Sequence, residues 1–269
     1  MKLRQFVAGA SLMAGSVIAL SSPANAFSFQ TNYTSSLTGN DAAKGDIFLN
    51  SVTLGDGSTI SDFTLINAAN IVSNDIYTGG NSGAASADIG DMATTGLRQE
   101  ALTNEGAQAV MNNLNLNNII DTEDKGSFVL DLKFEQAVDN IFLWERGMNS
   151  RLDLQALDAS GNVIGNLLKL ANSRTWDDAG FDINTNEIRR AQNVGSIGIS
   201  LMDLGVTADS ISALRISSHG KAYNGPDFKL LGSVASVDSE EVPEPAALIG
   251  LGAVVAGMVA SRRKQAQPA

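Results

Sequence analysis

Phe128-Val129-Leu130-Asp131-Leu132-Lys133-Phe134 sets four large apolar side chains on alternate positions, with Val129, Asp131 and Lys133 between them. Successive side chains of a strand point to opposite faces, so this period of two describes a strand with one face in a core and the other toward water. Outward from it, the same reading covers Ile47 to Thr53, Thr59 to Ile66, Val138 to Trp144, Arg151 to Leu157, Val163 to Leu170, Ser196 to Met202, Ser210 to Ile216 and Phe228 to Val234. Asp56-Gly57, Ser160-Gly161-Asn162 and Gly225-Pro226-Asp227 supply turn chemistry between them. One segment has helical spacing instead. Ala107, Val110, Met111 and Leu114 fall at i, i+3, i+4 and i+7 behind Asn104 as cap, and run into the Asn-rich stretch 112–118. Together these features predict a mainly all-β chain, a jelly-roll-like β-sandwich with one short helix. A parallel β-helix would need a fixed repeat, which the sequence lacks. Residues 79–90 (GGNSGAASADIG) are small and polar and read as a surface loop.

Both ends of the chain depart from this pattern. Lys2 and Arg4 precede an apolar core from Phe6 to Leu20, and Ala24-Asn25-Ala26 then offers small residues in an A-x-A arrangement. This is the form of a Sec-type signal peptide cleaved after Ala26, and the apolar core is shorter than the ~20 residues of a membrane span. At the other end Pro243-Glu244-Pro245 leads into the unbroken apolar run Ala246 to Ala260, closed by Arg262, Arg263 and Lys264. The prolines keep the preceding backbone extended. The run predicts a single transmembrane helix in the precursor, and the basic residues act as its stop-transfer end on the cytoplasmic side. Gly250, Gly252, Ala253, Ala256 and Gly257 leave room for a closely packed helical partner. An ordinary tail anchor is the plain alternative, but it requires neither the tripeptide nor so short a helix.

Tripeptide, short small-residue helix and basic end, in that order, resemble the PEP-CTERM sorting signal. The resemblance implies that exosortase, a membrane-embedded cysteine-dependent transpeptidase-like protease, recognises Pro243-Glu244-Pro245 and removes the tail. It further implies passage through the Sec translocon, a transient stay in the inner membrane, and residence at the cell envelope surface or in the extracellular matrix. Residues 118–124, 139–150 and 225–228 also resemble exosortase-dependent surface proteins with a β-rich ectodomain. Such systems accompany polysaccharide production, which makes exopolysaccharide the implied partner. The chain thus divides into a signal peptide (1–26), a β-sandwich (27–232), an acidic linker (233–242) and a sorting signal (243–269).

Composition narrows the chemistry. Of 18 Lys and Arg, five (Lys2, Arg4, Arg262, Arg263 and Lys264) lie in the terminal signals, as does Glu244 of 29 Asp and Glu. The remaining 13 cations face 28 carboxylates, a net charge of −15 for residues 27–242. Such a surface is unsuited to nucleic acid or anionic lipid, which require clustered Lys and Arg. The chain has no cysteine, so neither disulfides nor thiol chemistry enter.

Candidate sites follow from residue type. Trp144, Glu145, Arg146 and Asn149 form one cluster able to offer an aromatic face and planar polar groups to a sugar, and Arg174, Trp176, Asp177 and Asp178 form a second. Tyr223, Asn224 and Asp227 make a third. Trp144 also ends an apolar strand, where it suits the core equally well. The same acids could serve a secreted polysaccharide hydrolase if two of them faced each other across about 5 to 10 Å. Nothing in the spacing fixes such a pair, and His219, the single histidine, stands without a nucleophile elbow. Ser217-Ser218-His219-Gly220 reads as a loop after the strand that ends near Ile216. A structural Ca2+ is the remaining candidate ligand, with Asp56, Asp121, Glu123, Asp124, Asp177 and Asp178 as oxygen donors, although no EF-hand pattern is present. No other cofactor is expected. The sequence therefore favours a noncatalytic exported protein associated with exopolysaccharide, with a hydrolase or a purely structural coat protein as alternatives.

Overall fold

A computed structural model describes residues 26–76, 85–88, 100–171, 175–185 and 190–234. Residues 1–25 of the signal peptide, Arg174 and everything from residue 235 onward, the sorting signal included, lie outside them. Among the described residues the chain forms β1 (Phe29–Ser35), β2 (Ile47–Leu54), β3 (Thr59–Ile60), β4 (Phe63–Thr64), β5 (Ile66–Asn74), β6 (Ala85–Asp88) and β7 (Glu100–Ala101). Helix α1 (Asn104–Met111) follows, then β8 (Ile119–Thr122), β9 (Ser127–Arg146), β10 (Leu152–Leu157) and β11 (Val163–Leu170). The chain continues through β12 (Asp177–Ile183), β13 (Gln192–Ser200), β14 (Ile211–His219) and β15 (Phe228–Val234). Every strand pairing is antiparallel. The mostly-β class with one short helix is as the alternation indicates.

β9 organises the molecule. Its first part pairs with β14 and β5, and its last part, from Val138, pairs with β13 and β15. Between Lys133 and Val138 it outruns β14 by three residues, because Ala213 faces Lys133 while Ile211 faces Val138. Glu135, Gln136 and Ala137 are exposed at this bulge. A bulge bends a strand and shifts its parity, so the inward positions change from Phe128, Leu130, Leu132 and Phe134 to Ile141 and Leu143. The two strands expected at 128–134 and 138–144 are therefore one strand passing from one sheet to the next.

Two cores result. The first lies between the sheet β11-β10-β14-β9-β5 and the sheet built on the second part of β9, with Leu154, Leu214 and Ile216 meeting Leu143, Ile197 and Leu230. The second lies on the other face of that middle sheet, where Phe142, Trp144 and Leu231 meet Phe29, Leu49 and Val52 of the three-stranded sheet β1-β2-β3. Residues 141–146 are consequently buried on both faces.

Other expectations are revised by pairing. The strand expected over 59–66 breaks into β3, β4 and the start of β5, since Thr59 and Ile60 pair with β2 while Phe63 and Thr64 pair with β15. The loop expected over 79–90 contains β6, which pairs with β8. α1 is capped by Thr103, whose Oγ accepts from the Gly106 N–H at 3.0 Å, whereas Asn104 accepts from the Ile71 N–H and ties the helix to β5. Beyond it the Asn-rich run is a seam: Asn112 donates to Ile66 O, Asn117 donates to Gly45 O, and Asn115 accepts from the Ile47 N–H. Lys229 of β15 is fully buried below α1 and donates to Val110 O and Asn113 Oδ1. Burial pushes its ammonium well below the usual lysine range.

Phe27, the residue after the A-x-A site, exchanges both backbone hydrogen bonds with Gly198 of β13, at 2.9 and 2.8 Å. Its ring covers Gly198, where a Cβ would come within 2.2 Å of it. Gly198→Ala should therefore expel the ring and cost about 1–3 kcal/mol in the mature chain. Thermal unfolding checks this, and Phe27→Ala in the same chain should remove most of the added cost. An unchanged midpoint for Gly198→Ala alone would show that the ring is not seated there.

Candidate functional site

Neither tryptophan is a sugar platform. Trp144 is 1% exposed, packs edge-on against Phe29, and donates from Nε1 to Thr31 Oγ1 at 3.0 Å. Trp176 is 4% exposed and donates to Ser150 O at 3.3 Å. Trp144 sits in a strand covered on both faces, so its ring has no access to a polymer. Glu145 is sealed beneath the turn of Gly147 and Met148, both at positive φ. The Ser150 hydroxyl and the Met148 backbone N–H stand against its carboxyl. Burial pushes its pKa up to about 8, the Ser150 hydroxyl opposes this, and the charge of Asp227 adds to it. Arg146 is buried and gives Nε and Nη2 to Asp227 Oδ2 at 3.0 and 2.6 Å, and Nη1 to Thr185 Oγ1 at 2.6 Å. Asn149 is exposed and accepts from the Ser150 hydroxyl. The first cluster is thus a structural knot with one surface residue.

Tyr223, Asn224 and Asp227 separate too. Asp227 belongs to Arg146, while Tyr223 donates to Asp153 Oδ2 at 2.8 Å. Burial and that carboxylate push the Tyr223 phenol up to about 12. His219 lies on β14 itself rather than in a loop. Ser217 Oγ and Asp153 Oδ2 approach the same ring nitrogen, Nε2, at 3.4 and 3.7 Å. A charge-relay arrangement needs the acid and the nucleophile on opposite ring nitrogens, so this trio is not one.

The acids offered for Ca2+ do not converge. Asp56 accepts from the Ser58 hydroxyl and N–H inside its own turn, which holds its carboxyl below the usual range. Asp121 and Glu123 are buried and Asp124 is exposed. Among the described residues no group of three or more His, Asp or Glu side chains could hold a metal ion.

Among the described residues an open space lies between β1 and β12, each bonded to a strand on one side only. β12 carries a bulge: Asp178 faces Gly195 and Asp182 faces Asn193, so three residues, Ala179 to Phe181, stand opposite Val194 alone. Gly180 supplies the positive φ, 82°, that the bulge requires, and its N–H is accepted by Asp178 Oδ1 at 2.9 Å. The bulge carries the Gly180 carbonyl to Tyr33 of β1, whose hydroxyl donates to it at 2.9 Å. The Tyr33 ring lies 5.0 Å from Phe181. Two clefts of about 550 and 540 Å³ share Tyr33, Asp178 and Gly180 in their linings. Asn40, Asp182 and Asn193 line the second. Among the described residues, Asp178 is the one member of the expected clusters in this groove; its neighbour Asp177 is exposed on the same strand. Tyr33 was not among the expected residues, although Phe27, Phe29, Thr31 and Tyr33 alternate in the sequence.

Residues 241–264 match the family model described as the PEP-CTERM protein-sorting motif. The chain carries a PEP-CTERM sorting motif. No curated protein and no solved structure matched it. The matched stretch contains Pro243, Glu244 and Pro245 as well as Arg262, Arg263 and Lys264. A PEP-CTERM motif implies export, processing by exosortase and sorting to the cell surface. The β-domain precedes this motif in the chain.

Proposed function

We propose that the β-domain is a noncatalytic polysaccharide-binding module, released from the inner membrane by exosortase and held in the exopolysaccharide at the cell surface or in the matrix. The groove between β1 and β12 carries this reading. It combines the Tyr33 ring, an aromatic surface for sugar C–H groups, with Asp178, Asp182, Asn40 and Asn193, whose oxygens and amides suit hydroxyls. Glu145, a carboxylate whose pKa burial raises, is sealed in the core and cannot reach a polymer.

The mature chain should be retained on exopolysaccharide purified from the producing cells. Asp182→Ala combined with Asn193→Ala, two exposed residues paired across β12 and β13, should weaken retention about tenfold, the loss of one or two hydrogen bonds. Equal retention of the double variant would remove the groove from the reading, and failure of the native chain to bind would remove the reading itself.

A further inference from the structure

The three-stranded sheet has an outer face without charged residues. None of the seven residues of β1, the eight of β2 or the two of β3 is Asp, Glu, Lys or Arg. This holds in a mature chain with a net charge of −15. The register places Gln30 beside Thr53, Asn32 beside Ser51, and Thr34 beside Phe48, with Thr59 next to Thr53 on β3. The alternate positions, Phe29, Ile47, Leu49 and Val52, point into the second core. The outward side chains are therefore amides and hydroxyls around one large apolar ring, Phe48, which is 45% exposed.

These polar groups are fixed before any ligand arrives. The Asn32 amide donates to Ser51 Oγ at 3.0 Å and Thr53 Oγ1 at 2.9 Å. Asn50, the extra residue of the β2 bulge, donates to Thr34 Oγ1 at 2.8 Å. Side chains locked in a plane lose little entropy on binding. A flat array of amides and hydroxyls beside an exposed ring matches a pyranose ribbon, which presents hydroxyls at its edges and C–H groups on its faces. A second copy of the domain is a poorer match, because Phe48 is the one large apolar residue facing outward from these strands and stable self-association needs an apolar patch. The same lack of charge leaves nothing to hold an anionic polymer, and the groove beside it offers Asp178 and Asp182 as its charged lining residues.

We infer that the ligand is an uncharged polysaccharide, lying flat on the outer face of β1, β2 and β3 with a sugar ring stacked on Phe48. This deepens the polysaccharide-binding reading and rests on it.

The test is affinity electrophoresis of the mature chain in native gels cast with hydroxyethylcellulose, with a galactomannan, or with alginate. Retardation is expected in at least one uncharged polymer, insensitive to added salt, with none in alginate. Phe48→Ala should weaken it at least tenfold, and Phe48→Trp should preserve it. Both Phe48 variants alter an exposed position, and circular dichroism checks that each is folded. Retardation by alginate alone overturns the inference. So does retardation lost in the Asp182→Ala, Asn193→Ala double variant yet unchanged in Phe48→Ala, which would place the polymer in the groove and leave the polysaccharide reading intact. If neither uncharged polymer retards the chain, the purified exopolysaccharide decides: retention lost in Phe48→Ala supports the face, retention unaffected overturns it, and no retention overturns both readings.

Discussion

Glu145→Gln is expected to stabilise the domain by about 5 kcal/mol at pH 9, and to change it little at pH 4, when unfolding by urea is measured across that range. The effect comes from the proton that burial keeps on the carboxyl. In the unfolded chain the group ionises near 4.5, whereas in the fold it ionises at about 8. Between those values the folded domain holds a proton that the unfolded chain has released, so stability falls as pH rises through the window. The contribution is complete below about 4.5 and lost above about 8. Glutamine imitates the protonated acid at every pH and escapes this loss. The charged neighbours that act on Glu145 are Asp227, which raises its pKa further, and Arg146, which lowers it. Since these stay in place in the variant, the difference between the two chains isolates Glu145. A difference that stays flat from pH 4 to pH 9 would mean that the carboxyl is ionised in the fold.

Asp227→Ala should cost about 3–5 kcal/mol at neutral pH, the usual penalty for removing one partner of a buried ion pair. Asp227 takes two guanidinium hydrogen bonds from Arg146 on Oδ2 and the Thr122 N–H on Oδ1 at 3.1 Å. One carboxylate thus joins the end of β9, the end of β8 and the start of β15. Its side chain is 10% exposed and that of Arg146 is 0%, so water cannot take over the role. Replacing the pair together, Arg146→Met with Asp227→Leu, should recover most of the loss, because two packed apolar groups need no counter-charge. Guanidinium chloride unfolding checks both. A cost under about 1 kcal/mol for Asp227→Ala would place the pair in solvent.

Strands with one dry face and one wet face are legible in the sequence: Val163 to Leu170 coincides with β11, and the alternation of β9 is plain up to Phe134. Phe228 to Val234 coincides with β15 although that strand is buried on both faces, because the turn residues Gly225-Pro226-Asp227 mark its start. The bulge at Glu135 to Ala137 leaves no local signal, since those residues suit either an exposed strand or a turn. β1 hides because Thr31, a polar residue, points inward to accept from Trp144. β12 hides because Gly180 and its bulge break the period of two. β8 hides because all four of its residues are buried, which erases alternation. The groove was beyond reach, since it depends on Tyr33 meeting Gly180 across 147 residues of sequence. Trp144 could be read as ligand platform or core from sequence alone, and only the second layer of packing, from β1-β2-β3, decides for the core.

The way the chain enters and leaves the middle sheet has a mechanical consequence. Phe27 bridges to β13 on one side of β9, and Val234 ends β15 on the other. A pull on the linker reaches β15 at its last residue, and β15 is hydrogen-bonded to β9 along its full length, from Phe228 beside Glu145 to Val234 beside Val138. Its other edge is held at one end by β8 and at the other by β4. Tension arriving through the linker therefore meets a strand clamped on both sides, at the centre of the molecule rather than at a peelable margin.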